Sequence, residues 1–181
     1  MPIGPDNGLM TGSEKADWLF DFIESSWQDL PNPCSEVAKE LALAFARQRR
    51  EAFNPTCSVL VHGDAHSNNT LQRLDGIEGF KFIDPDGLFA EPACDLAIPM
   101  RGFNEELLAG NIVAIGQARC SKIAALTDVA DLAIWQWGFI ERVSTGLLML
   151  QIGMEQWGRE TLAVADLLSS ASIPWNEGIN S

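Results

Sequence analysis

At 181 residues the chain is long enough for one well-buried domain and short for two. Its 46% hydrophobic and 20% charged residues describe a globular chain and exclude intrinsic disorder. A formal charge of -13 repels phosphate backbones, which excludes nucleic acid as a partner and favours a cationic small molecule.

No run approaches the roughly 20 apolar residues that span a bilayer, and no basic segment precedes an apolar one at the N-terminus. A cytoplasmic protein without a membrane partner is expected. Cys34, Cys57, Cys94 and Cys120 form no CxxC pair, so they are expected to be reduced and mostly buried.

Residues 1–12, rich in Gly and Pro, predict a loop or frayed terminus. A helix capped by Ser13 follows, with Trp18, Leu19, Phe22, Ile23, Trp27 and Leu30 at helical spacing until Pro31. A second helix is expected from Ser35 to Phe53, ended by Asn54-Pro55. The run 57–61 predicts a short buried strand, and 69–74 and 80–83 predict two more, joined by a turn at Asp75-Gly76. Beyond these, Pro92 and Pro99 bracket a short helix, and residues 104–124 suggest a pair. Residues 128–152 form the longest helical stretch, and a last helix spans 155–170. Trp135, Trp137 and Trp157 are expected in the core. The layout is α+β: a small β-hairpin region embedded in helices, with domain limits at 13 and 172 and a tail from 173 to 181.

The chemistry concentrates in Val61-His62-Gly63-Asp64-Ala65-His66-Ser67-Asn68-Asn69, which leaves a strand, and in Phe82-Ile83-Asp84-Pro85-Asp86-Gly87. Phosphoryl transfer requires a group to receive or orient a hydroxyl proton and oxygen ligands that hold Mg2+ against nucleotide phosphates. Asp64, Asn69 five residues later, and Asp84 on the next hairpin supply both, at the Asp-to-Asn separation of the kinase pattern H-R-D-L-x-x-x-N.

HGDAHSNNTL followed by FIDPDG resembles the aminoglycoside phosphotransferase and choline kinase superfamily of protein-kinase-like folds. Glu91-Pro92-Ala93-Cys94-Asp95-Leu96-Ala97 and Glu141-Arg142-Val143-Ser144-Thr145-Gly146 are similar to its streptomycin 6-kinase and hydroxyurea kinase branch, and the likeness runs from about residue 13 to 160. The resemblance implies a kinase-like C-terminal lobe that moves the ATP γ-phosphate to a hydroxyl of an aminoglycoside-like molecule. It implies Asp64 as catalytic base, Asn69 and Asp84 as Mg2+ ligands, Asp95 as a brace of the catalytic loop, and His62 and His66 as residues that shape it. Two features depart from the pattern. No GxGxxG loop or VAIK-like strand occurs, so this chain is expected to lack the N-terminal nucleotide lobe and by itself to transfer phosphate slowly or not at all. Asp86 stands where that branch has a lysine; two residues from Asp84 on a strand, it faces the same side as a second-metal ligand or caps the turn at Gly87, the latter being preferred.

Structural roles compete with these. His62 alone reads as a histidine satisfied by backbone groups, Asp64 and Asn69 as turn formers, and Asp95 as a helix cap. Glu141 and Arg142 read as a solvated pair, with Glu141 also a weak candidate for meeting a cationic substrate. Two other functions stay open. One is a non-catalytic kinase-like module that self-associates or captures a partner lobe through an exposed apolar surface; the other is a hydrolase that binds metal through His62, Asp64 and His66.

Overall fold

The computed structural model describes residues 8–74 and 78–176. The chain folds as seven helices and four short strands among the described residues: α1 (Gly12–Asp29), α2 (Glu36–Glu51), β1 (Val59–Val61), β2 (Thr70–Gln72), β3 (Phe80–Phe82), β4 (Leu88–Ala90), α3 (Ala93–Leu96), α4 (Asn104–Ala109), α5 (Ile112–Thr127), α6 (Asp131–Gln151) and α7 (Glu155–Ser170). The fold is mostly helical, with two separate two-stranded antiparallel sheets, β1 with β4 and β2 with β3. No helix among the described residues is long and apolar enough to cross a membrane.

The first helix begins earlier than Ser13. Thr11 is its cap, accepting from the Glu14 amide, while the Glu14 carboxylate receives the Thr11 N–H at 2.7 Å, a reciprocal capping box. Ser13 lies inside the first turn, so the boundary placed at residue 12 falls within helix. Ser35, where the second helix was expected to begin, is the cap of α2, and Arg49 and Arg50 in its last turn suit the helix dipole.

The core forms around α6, which is buried on nearly every side: Ile134, Trp135, Trp137, Phe139, Ile140, Val143 and Leu147 lie in it. Such a helix must be enclosed, and α1, α2, α3, α5 and α7 surround it. Gly146 lets α7 approach closely, since a Cβ there would sit 2.6 Å from Leu162 Cγ. Trp135 and Trp137 are core residues, whereas Trp157 is 45% exposed. Trp157 occupies the first turn of α7 and borders open space rather than the core.

The strand between residues 57 and 61 is shorter than expected and is not buried. Only Val61 is; Val59 and Leu60 are 46% and 54% exposed, because β1 pairs with β4 alone and a two-stranded ribbon shields little. Strand β4 was not expected, since Leu88-Phe89-Ala90 is below the length at which an apolar run reads as a strand. The register is Val59 to Ala90 in the first sheet and Thr70 to Phe82 in the second. The expected turn at Asp75-Gly76 lies outside the described residues. Of the thiols, Cys94 and Cys120 are buried, Cys34 is half-buried and Cys57 is exposed. Burial pushes the Cys34, Cys94 and Cys120 thiols up from 9.0 to about 12.

Candidate active site

The loop between β1 and β2 carries His62 to Asn69. Asp95, in the short helix α3, holds its first turn: the carboxylate accepts the His62 N–H at 2.6 Å through Oδ2 and the Gly63 N–H at 2.7 Å through Oδ1. Helix α3 has no side-chain cap, so Asp95 serves the distant loop rather than its own helix. Gly63 has φ +90°, and a Cβ there would lie 2.9 Å from Asp86 Cβ, so the turn requires glycine on both counts.

Three donors converge on the Asp64 carboxylate. Arg101 Nη2 is 2.6 Å from Oδ1, His66 Nε2 is 3.0 Å from Oδ2, and Asn69 Nδ2 is 3.1 Å from Oδ2. Asn69 Nδ2 also donates to the Asp64 carbonyl at 3.0 Å, closing the loop on itself. The tautomers follow from the backbone. His66 Nδ1 accepts the Asn68 N–H at 3.1 Å, which leaves Nε2 as the proton-bearing nitrogen toward Asp64. His62 Nδ1 accepts the Asp64 N–H at 3.3 Å, so its Nε2 donates to the Ile83 carbonyl at 2.9 Å.

These bonds tie the loop to the second sheet. Ile83 N–H donates to the Asn69 carbonyl at 2.9 Å, and the His62 ring stands 5.3 Å from that of Phe82. Asn69 and the Ile83-Asp84 segment therefore meet at one end of the β2–β3 pair. Strand β3 ends at Phe82 and Asp84 has φ +57°, a left-handed conformation that Asp tolerates. The expectation that Asp84 and Asp86 share one face of a strand fails for that reason. Asp84 and Asp86 are both exposed, and Asp86 lines the cleft beside Gly63.

Glu141 and Arg142 are not a solvated pair. Both are buried, because α6 is enclosed by its neighbours, and each is held by groups from other elements. Glu141 Oε1 is 2.7 Å from Lys15 Nζ, an ion pair away from the hydrogen-bond direction, and Oε2 accepts from Arg101 Nη1 at 3.1 Å. Burial works most strongly against the Lys15 ammonium, but the Glu141 carboxylate and the neighbouring Cys94 together outweigh it and raise the group above its ordinary value. Lys15 Nζ also donates to the Gly63 carbonyl at 3.3 Å. Charges thus alternate from Lys15 through Glu141 and Arg101 to Asp64. Arg142 donates to Asn104 Oδ1 at 2.6 Å and to the Met100 and Gly102 carbonyls at 2.5 and 3.2 Å, which clamps the segment that bears Arg101.

Lys15 and Arg101 were missed in the sequence. Lys15 had a signal, a charge four residues before Leu19 on the helix face that is buried. Arg101 had none, since it follows Pro99-Met100 in a single 3-10 turn with no periodicity.

Asn69, with its amide nitrogen spent on Asp64, has its side-chain carbonyl left as a ligand atom, and Asp84 makes no ion pair among the described residues. One carboxylate and one amide oxygen suit Mg2+, which keeps water and phosphate in most of its shell. Among the described residues no group of three or more His, Cys, Asp or Glu gathers to hold a metal ion. Both ring nitrogens of His62 are engaged with the backbone, which opposes the reading of His62, Asp64 and His66 as a ligand set. Comparison of the chain with family models, with curated proteins and with solved structures gives no match.

Proposed function

We propose that this chain is the catalytic lobe of an ATP-dependent, small-molecule phosphotransferase of the aminoglycoside phosphotransferase and choline kinase type. The observation that carries the reading is the joining of the Asp64–Asn69 loop to the Ile83-Asp84 end of the neighbouring hairpin through the Ile83-to-Asn69 and His62-to-Ile83 hydrogen bonds. It ties the segment that carries Asp84 to the loop that carries Asp64 and Asn69, and this supports a reading in which a base and two oxygen ligands act on neighbouring loops, as phosphoryl transfer requires.

In this reading Asp64 takes the proton of the acceptor hydroxyl while that oxygen bonds to the γ-phosphorus and the bond to the β–γ bridging oxygen breaks, releasing ADP. Arg101, His66 and Asn69 orient the carboxylate, and Asp95 holds the loop through His62 and Gly63. Asn69 and Asp84 would hold Mg2+, which would supply charge neutralisation at the nucleotide phosphates. Binding is the primary readout, since the sequence has no GxGxxG or VAIK-like segment. Calorimetric titration of Mg2+ with and without a non-hydrolysable ATP analogue is expected to show nucleotide-dependent uptake that Asp84→Ala and Asn69→Ala each abolish; equal uptake by Asp84→Ala would refute the assignment.

A second reading, a non-catalytic kinase-like binding module, is favoured by one observation. Phe80 and Phe82, two residues apart on β3 and so on one face of its sheet, are 72% and 60% exposed, a pair of large aromatic side chains that an isolated soluble fold would more often cover. Self-association or capture of a partner lobe there is read from sedimentation of the purified chain, with Phe80→Ser and Phe82→Ser as controls.

A further inference from the structure

Beside the Asp64 loop lies a cleft of about 900 Å³, at the upper end of the range for small-molecule sites. Its floor carries Asp64, Arg101 and Glu141, and its wall carries Trp18, Phe22, Phe103, Leu148 and Trp157. Trp18 and Phe22 stack with ring centroids 5.6 Å apart and planes 15° from parallel. Trp18, Phe103, Leu148 and Trp157 stay 41 to 64% exposed although each offers a large apolar surface. A wall of this kind is unfavourable in water unless something apolar covers it.

Phe103 supplies a second, independent observation. Its backbone is left-handed, with φ +61°, a conformation that a bulky residue avoids at a cost of about 1–3 kcal/mol. The flanking backbone is held by the buried Arg142 through Met100, Gly102 and Asn104, and Asn104 is fixed in turn by its 2.7 Å bond to Thr161 Oγ1. The fold thus maintains a strained residue whose ring, with the Arg119 guanidinium 5.0 Å from its centre, stands at the cleft. Strain held in place by a buried clamp points to function.

The charges on the floor decide what enters. Glu141 is neutralised by Lys15 and Arg101, and Asp64 by Arg101, so the two cations and two carboxylates of this chain balance. Asp86 is the remaining carboxylate on the cleft, and it has no ion pair among the described residues. A polycation would find one free anion and a wall that cannot solvate its other charges.

We infer that the cleft is the acceptor site and that it takes an alcohol with an apolar, ring-bearing body and at most one amine, rather than a polycationic aminoglycoside. The acceptor role rests on the phosphotransferase reading; the ligand chemistry rests on the cleft itself. The wall covers the rings, Asp86 faces the single amine, and the hydroxyl reaches Asp64.

The test is calorimetric titration, without nucleotide, with propranolol, which carries a naphthalene ring, one alcohol and one amine, and with streptomycin, a hydrophilic polycation. Propranolol is expected to bind one to one and at least tenfold more tightly than streptomycin. Trp18→Ala and Trp157→Ala, at partly exposed positions that spare folding, are each expected to weaken it about tenfold, the loss typical of an aromatic anchor. Phe80→Ala, on the exposed sheet face, is expected to leave affinity within twofold. Tighter binding of streptomycin, no propranolol binding, or a site lost in Phe80→Ala and kept in Trp18→Ala overturns the inference. Loss of the Mg2+ and nucleotide response with propranolol binding intact counts against phosphotransfer alone, and the converse counts against this ligand class alone.

Discussion

Arg101 ties Asp64 to Glu141, with one guanidinium nitrogen 2.6 Å from Asp64 Oδ1 and the other 3.1 Å from Glu141 Oε2. Its side chain is 20% exposed, so water screens the pair only in part. Arg101→Ala leaves Glu141 with Lys15 alone and Asp64 with only His66 and Asn69, both on Oδ2. It is expected to lower stability by about 1–3 kcal/mol, read from urea denaturation, with Arg101→Lys recovering part of the loss because it restores charge without the two-pronged geometry.

Asp95 accepts two backbone amides of the Asp64 loop. Asp95→Ala strands both donors in a part-buried place and is expected to cost about 2–3 kcal/mol. The local readout is hydrogen exchange: the His62 and Gly63 amides should lose protection well before those of α6. Unchanged protection at both positions would remove Asp95 from its bracing role.

Gly63→Ala introduces a Cβ into Asp86 and forces alanine to φ +90°. The expected loss is about 1–3 kcal/mol, and Gly63→Asn should cost less of the backbone part because Asn tolerates positive φ better. Thermal unfolding of the two variants side by side checks the order.

Arg142 is buried with three oxygen partners, and burial, with Arg119 nearby as a second cation, pushes its guanidinium below the ordinary range. Arg142→Ala leaves those oxygens unpaired and is expected to destabilise by about 3–5 kcal/mol, among the larger single-site losses here. The loss should be accompanied by higher exchange rates at residues 100–104, the segment Arg142 holds.

Stability should fall in alkali. The buried Cys94 thiol titrates near 12 in the native state and at 9.0 as a free group, so between those values the unfolded chain has lost a proton that the native chain keeps. Fewer protons on the unfolded state mean that stability decreases as pH rises. The raised Lys15 ammonium acts in the same direction above its ordinary value of 10.5. Urea midpoints are therefore expected to be level from pH 7 to 8.5 and to drop by pH 10.5, with a shallower drop in Cys94→Ala; a midpoint that rises with pH contradicts the burial of that thiol.

What the sequence determined by itself is local. The start at Ser35 and the prolines at 31, 33 and 55 bound the first two helices through effects that act within a few residues, although the first cap proved to be Thr11 rather than Ser13. Helical spacing located α7 at its observed limits and the apolar run located α6. The loop from His62 to Asn69 was legible because its residue types recur at fixed spacing. Tertiary structure decided the rest. The three-residue strand β4 exists because β1 and the Met10-Thr11 segment pair with it, and Trp137 is buried while Trp157 is not. Arg101 reaches Asp64 across 37 residues of chain, and Lys15 reaches the Gly63 carbonyl across 48. Such contacts leave no periodicity, because a burial partner supplied by another element is not encoded near the residue that needs it.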